Sequence, residues 1–566
     1  MSRTLRFAAI PFLVAVLLLT PAERIVVAAP QNAAPATVDA ILKAQSLSNA
    51  YNPVLLEYLL AEGRPKLRAA QHKQAVDQLV ARFRQEMTVT GTEQVMASAA
   101  TLGGVFSSGV VGEGLADGAA SVWAGWVQAA LVMTRAGYKA DTIPFFERCM
   151  ATFPYEGLRR DCAVGLFLAD SNRAFTFLLG QLERRDTEMN QLALRLLGLL
   201  AGDKACPPDK RTKAVEAIIA KTEGMMNTSL FPAAIDGLML ARDRRAIEPL
   251  QKLTGGFGKS TEVKRLAKRA LLLTFKDTSV LPDLEKEVKG GMTKSDDGVM
   301  FAGSLLIEGG YDAGYAWARE KLAKKAGGVS KLFNKEDPDA LADIAWVLIE
   351  RGGAKSIPVL QAAVPVRKPD EFISAYMAIG LLRLGDKSAI EIVRASLTNK
   401  KWLATRLRAA EALAKVGDLS GIAALDAMVQ DKSLGSKAAD LALGRFRSAS
   451  DVKSAVAYSL ATIDKPASVP VLITLLNDNS ADVRTAAAYS LASMKTPTAI
   501  EGLSKAIGLD YGKSAGRVRG PEVEAHVLRI ALARFPRDPR TTAMARQATK
   551  SEWLSVRFLG LVATGG

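Results

Sequence analysis

The chain predicts an all-α fold, an α-solenoid of stacked antiparallel helix pairs, and three observations carry that reading. The first is a pattern that returns further along the chain. Asp451-Val452-Lys453-Ser454-Ala455-Val456-Ala457-Tyr458-Ser459-Leu460-Ala461 comes back as Asp482-Val483-Arg484-Thr485-Ala486-Ala487-Ala488-Tyr489-Ser490-Leu491-Ala492. The spacing falls within the roughly 20–50 residues that mark a repeat architecture, in which each unit buries its apolar side against its neighbours. The second is composition: apolar residues make up 49% and aromatics 6%, so Ala and Leu carry the packing, and these are strong helix formers. The third is an apolar-Pro-x-Leu signature at one phase of the repeat. It reads Leu281-Pro282-Asp283-Leu284, Ile357-Pro358-Val359-Leu360 and Val469-Pro470-Val471-Leu472, with a looser Ile247-Glu248-Pro249-Leu250. Proline is tolerated in a first helical turn and costs about 3 kcal/mol further in, so its recurrence fixes where a helix begins.

Leu491 serves as an anchor for the register. Equivalent leucines stand at Leu460, Leu413, Leu381, Leu348, Leu306, Leu271 and Leu238. The two longest steps, Leu306 to Leu348 and Leu413 to Leu460, carry insertions: Lys324-Lys325-Ala326-Gly327-Gly328, and Lys437 to Leu443, which reads as an extra helix. Each unit reads as helix, turn, helix. The first helix has small and apolar residues at steps of three and four, as in Ala410, Leu413 and Ala414. The turn is rich in Gly and Asp (Gly417-Asp418, Gly385-Asp386, Gly352-Gly353). Gly supplies the left-handed backbone that ends a helix, and Asp caps the next one.

A Val-Arg start, an Ala-Ala-x-x-Leu first helix, a Gly-Asp turn and an Ile/Val-Pro-x-Leu second helix together resemble HEAT repeats. The short form found in phycobilisome-lyase-like proteins is the most similar. The resemblance is fullest from about 375 to 507 and weaker from about 230 to 374, while 140–229 shows helix-pair periodicity alone, as in Leu192 to Leu197. It implies a HEAT/armadillo-like superhelix with one helix of each pair lining a concave face. It implies no activity, because this repeat serves many functions. HEAT-like iron hydroxylases carry paired His-Glu dipeptides; this chain has none, so that activity is not carried over. Nothing singles out a tetrapyrrole pocket of the bilin-lyase kind.

The flanks predict different roles. Arg3 and Arg6, then the apolar run Phe7 to Leu19, then small residues at Thr20-Pro21-Ala22 and Val26 to Ala29 read as a signal peptide over 1–29. No Cys lies near a cut, so a lipid anchor is not expected, and no later run of about 18 apolar residues predicts membrane insertion after cleavage. The expected location is the periplasm or cell exterior. Residues 30–40 read as a disordered leader, and 41–139 as an N-terminal helical cap with a hinge at Gly103, Gly104, Gly109, Gly112, Gly114 and Gly118. The solenoid spans 140–511, and 512–566 reads as a C-terminal helical cap.

The formal net charge is +16; cleavage of 1–29 removes Arg3, Arg6, Arg24 and Glu23, a net of two positive charges, and leaves +14. That balance favours acidic partners, but Asp and Glu are interspersed nearly everywhere. Cys149, Cys162 and Cys206 are an odd set in an exported chain; Cys149 and Cys162 either face each other across a helix pair or serve as small buried apolar groups. His72 and His526 lie far apart, and no zinc motif or triad forms around them. Thr254-Gly255-Gly256-Phe257-Gly258-Lys259-Ser260 ends like a phosphate loop, but Leu253 stands where the motif needs its first glycine, and the stretch follows a helix. It reads as an inter-repeat loop. Asn227-Thr228-Ser229 is a sequon by spelling. No cofactor and no metal are expected.

Two constellations remain as candidate binding residues. Two places before the anchor stand Asp236, Arg269, Ser304, Trp346, Ile379, Glu411, Tyr458 and Tyr489. Trp346, Tyr458 and Tyr489 are binding anchors or inter-repeat packing. Seven places before the anchor stand Lys264, Arg406, Lys453 and Arg484, a basic ladder for an acidic partner or a structural set tied to turns. The function expected is a non-catalytic scaffold that binds protein partners. The alternatives are a binder of acidic polymers or nucleic acid, and an enzyme with an unrecognised site in 41–160.

Overall fold

The computed structural model describes residues 126–564 apart from 153–155, 224–228, 256–258, 290–295, 324–337, 368–371, 400–402, 432–447, 515–516 and 519; of the earlier chain it describes 77, 80, 81 and 84. The signal peptide, the leader, the Gly-rich hinge, His72, Asn227 and both insertions lie outside the described residues. So do the middle of the Gly-Lys-Ser loop and most of the N-terminal cap.

The chain divides into two units: residues 1–174 with 513–566, and residues 175–512. In the first, α1 (Lys139–Thr152) and α2 (Glu156–Ala169) pack as a pair, and α3 (Ser171–Gln181) crosses the division. Cys149 and Cys162 are buried and free in that pair, and burial together with the neighbouring Cys149 pushes the Cys162 thiol well up.

The second unit repeats one motif. Its pairs are α4 (Thr187–Gly202) with α5 (Pro208–Ala220), α6 (Phe231–Ala241) with α7 (Ile247–Thr254), and α8 (Thr261–Arg269) with α9 (Leu281–Val288). There follow α10 (Asp296–Gly309) with α11 (Asp312–Ala323), α12 (Pro338–Arg351) with α13 (Ile357–Ala363), and α14 (Phe372–Arg383) with α15 (Ile390–Ser396). The last are α16 (Leu403–Lys415) with α17 (Ser420–Gln430), α18 (Ala449–Ile463) with α19 (Ser468–Leu476), and α20 (Ala481–Ser493) with α21 (Ala499–Lys505). First helices stack on first helices from α4 to α20, and second helices meet along α9–α11–α13 and α17–α19–α21. This is the all-α solenoid that the sequence predicts.

The anchor positions explain the stacking. Leu238, Leu271, Leu306, Leu348, Leu381, Leu413, Leu460 and Leu491 are each 0–1% exposed, and Leu306 and Leu491 press on Gly314 of α11 and Gly502 of α21, the second helices of their own units. Burying a leucine contributes roughly 1.5–3 kcal/mol, and eight such positions fix the register of the stack. Pro282 and Pro358 fall at the second residue of α9 and α13, and Pro249 and Pro470 in the first turn of α7 and α19. The four lost N–H groups are therefore ones no helix would have used.

Five of the turns share one left-handed place, and after α12 the left-handed residue is Gly353, one place later, at φ +58°. Gly310, Gly385 and Gly417, each four places past its anchor, have φ of +82°, +91° and +88°. Arg242 and Asp464 hold the same place with φ of +53° and +50°. In α8 the left-handed residue is Lys276, one place later, because Ala270–Phe275 winds as a π-helical turn that absorbs one extra residue. An aspartate then accepts a backbone N–H two places on: Asp203 from Ala205, Asp243 from Arg245, Asp277 from Ser279, Asp386 from Ser388 and Asp418 from Ser420.

The C-terminal part of the first unit holds α22 (Gly520–Arg534), α23 (Pro539–Ala548) and α24 (Leu554–Thr564), all in mutual contact. A two-stranded antiparallel ribbon, β1 (Lys513–Ser514) with β2 (Arg517–Val518), precedes them; no strand was expected from the sequence. Two paired residues per strand leave the fold all-α in class.

Candidate functional site

The four basic residues seven places before the anchor have different fates. Arg484, on α20, donates from Nε to the Asp510 carbonyl at 2.6 Å and from Nη1 to the carbonyls of Asp478 and Asn479 at 2.7 and 3.0 Å. Lys453, on α18, donates to Asp478 Oδ2 at 2.7 Å, with both side chains largely buried. Arg406, on α16, has a buried Nε without a hydrogen bond; burial pulls its guanidinium pKa down against the field of Asp431. These three share a register in which an aspartate follows the second helix: Asp431 for Arg406, Asp478 for Lys453 and Asp510 for Arg484. A cation on a first helix thus faces the turn that closes its own unit. Lys264, on α8, breaks the rule, because the corresponding place after α9 is Lys289.

The aromatic row is likewise uneven. Trp346 is half-buried on α12, with the Arg351 guanidinium 5.9 Å from its ring centre. Tyr489 is half-buried on α20. Tyr458, on the adjacent α18, is 54% exposed; Leu419, 42% exposed, precedes α17, and these are the exposed large apolar residues among those described. The structure thus places Tyr458 and Tyr489 on neighbouring stacked helices and Trp346 several units away.

A third constellation escaped the sequence reading. Successive first helices are joined by polar rungs across their seams. Arg195 on α4 meets Asp236 on α6 at 3.0 Å; Arg269 on α8 meets Glu308 on α10 at 2.6 Å; and Arg351 on α12 reaches the same Glu308 at 3.7 Å. Glu350 on α12 takes Arg383 on α14 at 2.5 Å, and the Arg408 guanidinium on α16 sits 5.7 Å from the ring centre of Tyr376 on α14. Ser459 on α18 donates to Glu411 on α16 at 2.6 Å. Asp236, Arg269 and Glu411 are positions the sequence tabulated; their partners lie one repeat away, at offsets that change from rung to rung. Burial outweighs Arg195 at Asp236 and holds that carboxyl above its ordinary range. Such a rung adds specificity of register more than stability, since desolvation offsets the Coulomb gain.

Residues that suggested chemistry have structural duties. Ser260 caps α8 by accepting the Val263 N–H at 3.2 Å, and Lys259 lies 3.9 Å from the Phe231 ring centre. His526, in α22, is pushed down to about 4 by burial and by Arg529 and Arg534, so it is neutral at pH 7. Among the described residues no group of three or more His, Cys, Asp or Glu is placed to hold a metal ion. No described helix is long and apolar enough to cross a membrane.

Residues 443–515 match the family model for HEAT repeats, a stretch that takes in α18 to α21. No curated protein sequence matches the chain. Among solved structures, human deoxyhypusine hydroxylase in complex with glycerol is similar at 12% identity over 63% of this chain and 96% of its own, with a TM-score of 0.22. A Kap121p mutant is similar at 12% identity over 90% of this chain and 64% of its own, with a TM-score of 0.34. She4p is similar at 11% identity over 93% of this chain and 77% of its own, with a TM-score of 0.21.

Proposed function

We propose that the chain is an exported scaffold that takes a protein partner on the aromatic side chains of its first helices, around Tyr458 and Tyr489. The observation that carries this reading is Tyr458. Its helix is packed on both flanks, yet the ring stays 54% exposed instead of being spent on inter-repeat packing. An aromatic ring with a polar tip on a rigid helix is a low-entropy anchor for a partner. The reading of the whole basic ladder as a polymer-binding strip has less support, because Lys453 and Arg484 are tied to turns of their own units.

The test is affinity capture from the native host with the wild-type chain, Tyr458→Ala and, as control, Lys355→Gln. The expected result is a protein retained by wild type and control and lost from Tyr458→Ala, with unchanged thermal unfolding. Identical capture by all three would overturn it. Export rests on Arg3, Arg6 and the apolar run Phe7 to Leu19. N-terminal sequencing of the protein from fractionated cells should find a mature chain that begins between Glu23 and Pro30, outside the cytoplasm; an intact Met1 in the cytosolic fraction would refute it.

A further inference from the structure

A cleft of about 320 Å³ opens in the second unit between α8, α9 and α10. Its charged walls are Lys264, Arg265 and Lys268 from α8 and Glu287 from α9; Thr254 of α7 and Thr261 of α8 add hydroxyls, and Phe301 of α10 supplies an aromatic wall. Lys268 is largely buried and paired with Glu287 at 2.9 Å. Lys264 and Arg265 have no carboxylate partner among the described residues, so two positive charges are left over. Residues at i, i+1 and i+4 of one helix keep these three cations within one turn of each other. The Arg265 guanidinium is steadied 5.3 Å from the Phe301 ring centre, which fixes its planar donor fork at the cleft.

The repeat register shows why this charge is unusual. Where the seventh position before the anchor is Arg406, Lys453 or Arg484, an aspartate closes the unit, whereas at Lys264 that place is the exposed Lys289. The cation at this structural position thus has no aspartate closing its unit and lines a cavity instead. The missing negative charge is one a ligand can supply.

We propose that this cleft binds a phosphoryl dianion, held by Lys264 and Arg265, with Phe301 and the rest of the cavity receiving an organic group attached to it. Arg presents paired donors to phosphate oxygens, and Lys adds a point charge. The volume lies at the lower end of small-molecule sites, which suits a monosaccharide-sized phosphomonoester. Lys268 stays engaged with Glu287 and keeps the wall rigid. This site is independent of the partner reading at Tyr458.

The test is calorimetric titration of the full chain with glucose 6-phosphate, inorganic phosphate, glucose and polyphosphates of increasing length. Saturable one-to-one binding of glucose 6-phosphate is expected, with none of glucose. Affinity should fall about tenfold in Lys264→Gln and again in Arg265→Gln, while Lys355→Gln, on an exposed lysine of another helix pair, leaves it unchanged. Tighter binding of the ester than of the free ion identifies an organic phosphate as the occupant; equal binding identifies phosphate itself. Absence of saturable binding by either, unchanged affinity in both cleft variants, or affinity that grows with polyphosphate length would each overturn the proposal. Circular dichroism of the variants separates a lost site from a lost fold.

Discussion

The α4–α6 seam and the α18–α20 seam are the same junction, first helix on first helix, built from different chemistry. At α18–α20 the sequence repeats nearly residue for residue, and Val456, Leu460, Ala487 and Leu491 on these two helices are each fully buried. At α4–α6 the helices approach until backbones touch. A Cβ on Gly198 would collide with the Gly237 carbonyl oxygen, and one on Gly237 would lie 2.5 Å from that of Leu194. Gly237 stands one place before its anchor, the place Ser490 holds before Leu491. The turns do not differ in this way: α6 ends on Arg242 and α18 on Asp464, both non-glycine residues in the left-handed region. One geometry is therefore reached by side-chain filling in one region and by backbone contact in the other. Only the first leaves a recognisable repeat.

The sharpest way to break the comparison is Gly198→Leu. The backbone of α6 cannot yield to a side chain, so a loss of more than about 4 kcal/mol is expected, against near-neutrality for Ala461→Leu, whose place is partly open. Equal effects in denaturant titrations would show that the α4–α6 contact is not the constraint described. Next is Leu491→Ala, which opens a cavity where α20 meets Gly502 of α21 and should cost roughly 2–5 kcal/mol. Hydrogen exchange should rise in α18 to α21 and leave α4 to α6 protected; uniform loss would mean the seams are not separately held.

Acid should act on the two units differently. His526 titrates near 4 in the fold and near 6.5 unfolded, so the unfolded chain binds the extra proton as pH falls between those values. Stability of α22 to α24 should then drop by at most about 3 kcal/mol across that window. His526→Leu should flatten the slope. In the solenoid the turn carboxylates of Asp386 and Asp418 are held below their ordinary range, first by their bonds from Ser388 and Ser420. Their contribution is present above about pH 4 and lost as pH falls through the lowered values. A single transition at one pH for α22 to α24 and for α14 to α17 would contradict this. The smallest effect expected is a gain: Arg242→Gly relieves a left-handed residue and should stabilise by up to about 1 kcal/mol. Asp464→Gly should not, because Asp464 accepts the N–H groups of Lys495 and Thr496 in the next turn. A melting series on the two variants decides between them.

Much of the fold was legible in the residues. Pro282 and Pro358 mark helix starts, Gly385 and Gly417 mark helix ends, and the spacing of the anchor leucines sets the unit. These signals act within one or two helical turns, so the chain displays them locally. The candidate site was legible only in its members. No local signal separates Lys453, tied to Asp478, from Lys264, which faces a cleft, because the difference lies in what closes the unit beyond the second helix and how a side chain bends toward it. The rungs Arg195–Asp236 and Glu411–Ser459 were hidden for the same reason, since their offsets vary from seam to seam.

By itself the sequence determined the helix-pair unit, its phase and the leucines that hold it, because helix initiation, termination and periodic burial are written in neighbouring residues. Tertiary structure alone decided which cations keep an internal partner, which aromatic ring stays in solvent, and where two helices close to backbone contact. Those outcomes depend on distances between units, and a side chain's neighbours across a seam are chosen by packing and not by order along the chain.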